Sequence, residues 1–250
     1  MNMDITGDKG DSVLTSNFDV SKITKEIVTL SPPLKLKSHS QSVKSSPAAF
    51  ILRNCLTKAE CAALIELAEN NEAGKSLFSE TVVNLEGVDV VNQDVREGSR
   101  YILDSENIVS QLWTRIRPRI PTNLKGAVVT GLNERLRFLR YETGQKFAPH
   151  YDGTYSREDD PLEVSLITLQ IYLNDNFEGG ETNFLGDDDD DDKSGKNFEV
   201  DKVRITPETG MILVFEQDLM HEGAELKNGV KYTVRTDVMY SYSKKKNIMM

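Results

Sequence analysis

Two stretches, VSLITLQIYLN (164–174) and VKYTVRTDVMY (230–240), alternate with a two-residue period, the signature of strands whose two faces meet different surroundings. In the first, Ile167, Leu169, Ile171 and Leu173 share one face, and Thr168, Gln170 and Tyr172 share the other. In the second, Tyr232, Val234, Val238 and Tyr240 form the apolar face, opposite Lys231, Thr233 and Arg235. Two architectures satisfy this pattern. The polar faces meet water, as in one-sided antiparallel sheets, or they line the interior of a barrel whose apolar faces are covered by helices. In the second case, the buried cations require an anion.

The neighbouring sequence has the same texture. ERLRFLRYE, ETNFL and GMILVFE are further short segments rich in β-branched and aromatic residues, separated by turn formers. Two helices are expected ahead of them. Thr57 and Glu60 form a capping box for the first, whose buried stripe is Cys61, Leu64, Ile65 and Ala68. Ser105 caps the second, which carries Trp113 as a core residue and stops before Pro118. Helices followed by many short strands predict a mainly β fold with helical support. The expected organisation is a disordered N-terminal arm over 1–46, rich in Ser, Lys and Asp, and a helical support region over 47–129. A main β domain over 130–243 and a basic tail over 244–250 complete it. The run Asp187–Asp192 reads as a solvated surface loop.

Charge and cysteine content narrow the function classes. A formal net charge of −10 argues against nucleic acid or an anionic membrane as partner. The two cysteines, Cys55 and Cys61, flank the start of one helix and make no disulfide framework. MNMDITGDKGDSVL has neither the basic nor the apolar part of a signal peptide, and no apolar run approaches the roughly 18 residues of a membrane span. The expectation is an intracellular, cytoplasmic protein without membrane association.

Of three histidines, His39 lies in the arm, whereas His150 stands in QKFAPHYDGTY one residue from Asp152, and His221 follows the strand MILVF. Asp152-Gly153 is also turn chemistry. Two histidines and a carboxylate on loops at strand ends can converge as a facial triad, which leaves three positions open on a ferrous ion, although the ligand types also admit manganese or nickel.

RYETGQKFAPHYD, YLNDNFEGGETNF, TPETGMILVF and HEGAELKNGVKY resemble the successive motifs of the 2-oxoglutarate- and Fe(II)-dependent dioxygenases, and within them the prolyl 4-hydroxylase-like branch. The resemblance implies a double-stranded β-helix (jelly-roll) core with the N-terminal helices packed on one sheet. It implies Fe(2+), 2-oxoglutarate and O2 as cofactor and co-substrates, with L-ascorbate as a helper, and release of succinate and CO2. His150, Asp152 and His221 match the iron ligands, and Lys231 matches the basic residue that pairs with the far carboxylate of 2-oxoglutarate. Tyr141 matches a pocket tyrosine. Tyr172 and Thr233 are placed to contact the same carboxylate, and Arg235 to reach the co-substrate, the substrate or an internal acid such as Asp237. The expected substrate is a prolyl side chain in a protein or peptide that is not acidic, because the loop after Asp152 and the aspartate run are both negative. Hydroxylation of another residue or of a small molecule, and a catalytically silent iron- and 2-oxoglutarate-binding module, are the alternatives.

Overall fold

The computed structural model describes residues 13–15, 17–28, 49–70, 75–80, 83–85, 88–90, 97–185 and 202–243. Its strands begin with β1 (Thr24–Ile27), β2 (Ala49–Arg53), β3 (Ser79–Glu80), β4 (Val83–Leu85), β5 (Val88–Val90) and β6 (Ser99–Asp104). They continue with β7 (Asn123–Leu124), β8 (Ala127–Leu132), β9 (Arg135–Glu142), β10 (Phe147–His150), β11 (Glu163–Tyr172) and β12 (Glu178–Gly179). The last are β13 (Thr182–Leu185), β14 (Lys202–Ile205), β15 (Ile212–Glu216), β16 (His221–Gly223), β17 (Leu226–Asn228) and β18 (Val230–Ser241). Two α-helices are described, α1 (Lys58–Glu69) and α2 (Glu106–Ile116).

The major sheet runs β1-β2-β15-β11-β18-β9-β6-β3, with β8 on β18 and β7 on β8. The minor sheet runs β10-β16-β13-β14. All of these pairings are antiparallel. The inner faces meet through Ile51, Leu213 and Phe215 of the major sheet and Phe184 and Ile205 of the minor one. This is a two-sheet jelly roll, as the strand pattern and the resemblance imply.

The alternation in β11 and β18 now has its physical reason. Ile167, Leu169, Ile171, Leu173, Val234, Val238 and Tyr240 pack with Cys61, Leu64 and Ala68 of α1 and Ile108, Leu112 and Ile116 of α2 in one buried cluster. The helices thus cover the outer face of the major sheet, and the polar faces of β11 and β18 turn into the barrel. Both expected caps are present. The Thr57 side chain accepts from the Glu60 N–H while Glu60 accepts from the Thr57 N–H, and Ser105 accepts from the Ile108 N–H.

Two expectations about organisation are corrected. Part of the expected disordered arm is folded: β1 pairs with β2, and Val13, Leu14 and Ile23 are buried in the outer core. The reason is a buried ion pair. Arg115 donates to Glu60 at 2.7 and 3.1 Å, to the Thr15 carbonyl at 2.9 Å and to the Cys55 carbonyl at 3.1 Å. Its guanidinium also lies 4.0 Å from the Phe18 ring centre. Arg119 reaches the Val20 and Ile23 carbonyls. Nor does residue 130 divide the chain, since β8 crosses it and β2, β3 and β6 join the major sheet. The aspartate run and the 244–250 tail lie outside the described residues. Among the described residues, no helix is long and apolar enough to cross a membrane.

Burial opposes ionisation of Glu60, but Arg115 and the Thr15 and Thr57 N–H groups overcome it and hold the carboxyl at about 2. Removing one partner leaves a buried charge uncompensated, so Glu60→Ala is expected to cost about 3–5 kcal/mol in a urea titration. A depressed carboxyl contributes stability above its unfolded pKa and loses it as pH falls through the folded one. The wild-type advantage over Glu60→Ala should therefore shrink between about pH 4.5 and 2.

Candidate metal centre

Three strands carry a grid of side chains into the barrel. Across β9 and β18, Lys231 stands opposite Tyr141, Thr233 opposite Leu139 and Arg235 opposite Arg137. Across β18 and β11, Thr233 pairs with Tyr172, Arg235 with Gln170 and Asp237 with Thr168. The minor sheet supplies the histidines, with His150 of β10 directly opposite His221 of β16. The register of this pair shifts between Phe147 and His150, where Pro149 sits in an edge strand. The Phe147 ring consequently stacks on His150 at 3.6 Å between centres.

His150, Asp152 and His221 each offer a ligand atom within 4.8 Å of the others. The His150 Nε2 lies 3.7 Å from Asp152 Oδ1, and His221 Nε2 lies 3.8 Å from Oδ2. Each imidazole commits Nδ1 to a backbone carbonyl, His150 to Ala148 at 2.8 Å and His221 to Leu219 at 2.9 Å. Donation from Nδ1 fixes the tautomer and leaves the Nε2 lone pairs directed at the common point. Burial holds both rings neutral, with the pKa of His150 lowered to about 3 and that of His221 lowered in the same direction. Burial opposes the charge on Asp152, but Arg235 beside it, together with the Thr168 hydroxyl hydrogen bond, keeps the carboxyl at about 2. Two neutral imidazoles and an ionised carboxylate on one side of a centre fit a hard-to-borderline divalent cation such as Fe(2+).

Lys231 lies at the other end of the same cavity, which Tyr141, Gln170, Gly180, Thr182 and Leu226 also line. Its ammonium donates to the Gly180 carbonyl at 2.6 Å and sits 5.8 and 5.6 Å from the ring centres of Tyr141 and Tyr172. Burial lowers its pKa to about 8, partly offset by Glu181. The Thr233 hydroxyl, fully buried two residues along the same face, has no partner among the described residues. A buried ammonium lining the cavity fits a carboxylate, as the far end of 2-oxoglutarate would provide.

Most of the expected site residues converge. Tyr172 and Thr233 lie one layer behind the cavity wall, and the Tyr172 hydroxyl shares a hydrogen bond with Thr182 Oγ1 at 2.8 Å. The side chain that presents a hydroxyl to the cavity there is Thr182, which the sequence reading missed. Arg235 donates to Asp152 at 2.7 Å and to Asp237 at 3.3 Å, so it takes the internal-acid role among those expected. Gln170 and Thr168 were legible as inward-facing but had no assigned role. Thr182 follows the glycine pair by too irregular a path for any spacing to reveal it. A second cavity of about 730 Å3 opens beside the first and shares Phe147, Glu222 and Gly223 with it.

Residues 136–236 match the sequence profile of the 2OG-Fe(II) oxygenase superfamily. Probable prolyl 4-hydroxylase 8 of Arabidopsis thaliana is 32% identical over 148 residues, covering 55% of this chain and 45% of that protein. Prolyl 4-hydroxylase 1 of the same plant is 28% identical over 204 residues, covering 76% and 68%. The viral collagen prolyl hydroxylase of Paramecium bursaria Chlorella virus-1 superposes with a TM-score of 0.51 at 20% identity, covering 76% of this chain and 95% of that one. A Trichoplax adhaerens prolyl hydroxylase, solved with a hypoxia inducible factor peptide fragment, gives a TM-score of 0.54 at 17% identity, covering 76% and 82%. These two share the fold. Residues 136–236, which carry His150, Asp152, His221, Lys231 and Arg235, are thus similar in sequence to the 2OG-Fe(II) oxygenase superfamily. The chain spans a little under half the length of the first curated relatives it matches. The curated relatives named here are known or probable prolyl 4-hydroxylases.

The lowered pKa of Lys231 means that the unfolded chain keeps this proton up to about 10.5, while the folded metal-free protein releases it near 8. In that window the unfolded state binds more protons, so wild-type stability rises with pH. Lys231→Met, which removes the buried charge, should stabilise the ligand-free protein at pH 7 by about 1–3 kcal/mol. The difference should narrow in thermal scans taken between pH 8 and 10.5.

Proposed function

We propose that this chain is an Fe(2+)- and 2-oxoglutarate-dependent dioxygenase that hydroxylates a prolyl side chain in a protein or peptide. The observation that carries the reading is one cavity with two ends. Neutral His150 and His221 and ionised Asp152 converge at one end, and Lys231, in a lining that includes Thr182, forms the other.

In this proposal His150, Asp152 and His221 hold Fe(2+). The chemistry supplied by the bound metal is O2 activation coupled to decarboxylation of 2-oxoglutarate to succinate and CO2, with one oxygen going to the substrate. The protein's part is geometric and electrostatic. Lys231 pairs with the far carboxylate and thereby fixes which end of the dicarboxylate faces the metal, while Thr182 lines the same cavity. Burial removes water from around Lys231, so its charge acts at nearly full strength on a carboxylate. Leu139 and Leu226 keep the middle of the cavity apolar. Phe147 stacks on the His150 ring and restrains it. The larger cavity, floored by Phe147, Ala148 and Pro149, is the proposed approach for a peptide.

That approach carries Lys146, Lys202, Arg204 and Lys227 against Glu181, Glu222 and Glu225. Glu158, Asp159 and Asp160 of the loop after Asp152 line neither cavity. Among the described lining residues the charges of both signs nearly balance, which favours neither acidic nor basic peptides.

With Fe(2+), ascorbate and 2-oxoglutarate in air, the protein is expected to form succinate slowly without substrate, and His150→Ala or His221→Ala to abolish it. Full turnover in either variant would reject the triad. Lys231→Ala should weaken 2-oxoglutarate binding by about 1.5–3 kcal/mol, the worth of a charged hydrogen bond. Because the free ammonium titrates near 8, wild-type 2-oxoglutarate affinity should be level below that pH and fall about tenfold per pH unit above it. Prolyl specificity is tested by incubation with a proteome-derived peptide library and mapping of each gain of one oxygen by mass spectrometry. Turnover confined to small molecules, or oxygen gained at residues other than proline, rejects it.

A further inference from the structure

Arg235 stands directly opposite Arg137 across β18 and β9, and like charges facing each other on one sheet face repel. The site resolves this by alternation. Asp152 meets Arg235 at 2.7 Å, Arg235 meets Asp237 at 3.3 Å, and Asp237 meets Arg137 at 2.9 Å. Asp237 also accepts from Gln217 Nε2 at 3.1 Å, and the Gln217 carbonyl accepts from the Asp152 N–H at 3.1 Å. Ser165 in turn donates to the Gln217 side chain at 3.1 Å. Both carboxylate oxygens of Asp152 are therefore held, Oδ1 by Arg235 and Oδ2 by the Thr168 hydroxyl at 2.6 Å. Asp237 and Asp152 are nearly fully buried, so the network cannot relax into water when one member is removed.

We propose that Arg235 is a positioning residue and resident counter-cation for Asp152, backed by Asp237 and Arg137, so that a metal at His150, Asp152 and His221 binds against a standing positive charge and with lower affinity than those three ligands alone would give. The inference rests on the metal-centre reading above. A divalent ion there shares its only anionic ligand with a guanidinium in direct contact. Each cation lowers the charge that Asp152 offers the other, and the two cations repel. Asp237 partly screens that repulsion from behind Arg235. The consequence is a site in which the carboxylate is held in place before metal arrives, at the expense of metal affinity.

Changes in charge give opposite signs for this role and for a merely structural one. The full chain, stripped of metal, is titrated with Mn2+ and its thermal midpoint followed with and without the ion. Arg235→Gln should lower the midpoint of the metal-free protein, raise Mn2+ affinity by roughly ten-fold or more, and enlarge the Mn2+-induced shift in midpoint. Arg235→Lys keeps the charge and should return affinity close to wild type. Asp237→Asn removes the screening anion and should weaken Mn2+ binding. If that variant does not fold, the Arg235 pair decides alone. Arg235→Gln with weaker or unchanged Mn2+ affinity would overturn the inference, since a purely structural arginine lowers stability and affinity together. Wild-type protein that takes up no Mn2+ overturns the metal-centre reading and this inference with it. Uptake by wild type with an unaltered Arg235→Gln affinity overturns the inference alone.

Discussion

Placing charged side chains on the inner face of a sheet is the constraint on which the rest of this structure depends. Lys231, Asp152 and Asp237 are all nearly inaccessible to water, and Arg235 is only slightly less so. Each such group costs several kcal/mol unless something inside compensates it. The solution has two halves. At the metal end, Asp152, Arg235, Asp237 and Arg137 neutralise one another in sequence. At the other end, Lys231 has, among the described residues, the Gly180 carbonyl, two aromatic faces and the more distant Glu181. One half is satisfied internally and the other calls for an anionic ligand. That asymmetry assigns the two ends of the cavity their different work.

The outer face makes this arrangement possible. Because α1 and α2 bury Ile167, Leu169, Ile171, Val234 and Val238, the opposite positions of β11 and β18 must point inward, and a one-residue slip would exchange the two sets. The catalytic face is thus fixed in register by hydrophobic packing on its reverse side. The histidines are placed by a different device, the facing of β10 and β16 in the minor sheet. Relative placement of the two histidines and Lys231 therefore depends on how the two sheets pack through Phe184, Leu213 and Phe215.

Much of this was legible in the chain. Period-two alternation identified β11 and β18 and both their faces, and capping chemistry located α1 and α2. The spacing of His150, Asp152 and His221, with Lys231 after them, marked the residues that converge. What stayed hidden depends on long-range register or on irregular backbone. Opposition of Arg235 and Arg137 follows from a pairing across nearly a hundred residues, which no local pattern encodes. Stacking of Phe147 on His150 follows from a bulge that breaks the alternation of β10. Residues 13–28 read as polar and aperiodic, because their order comes from Arg115, Arg119 and Glu60 rather than from any pattern of their own.

Glu60 deserves to be seen as a junction. One carboxylate closes the first turn of α1 through the Thr57 N–H, accepts both nitrogens of Arg115 in α2, and accepts the Thr15 N–H. Three segments separated by 45 and 55 residues are thereby joined at one side chain. That joint requires two large loops to close, at an entropic cost that grows only slowly with their length. The Thr57 cap is local, three residues from Glu60, whereas the Arg115 and Thr15 contacts span 55 and 45 residues. Loss of this one side chain would therefore loosen the start of α1, the seating of α2 and the hold on Thr15 at once.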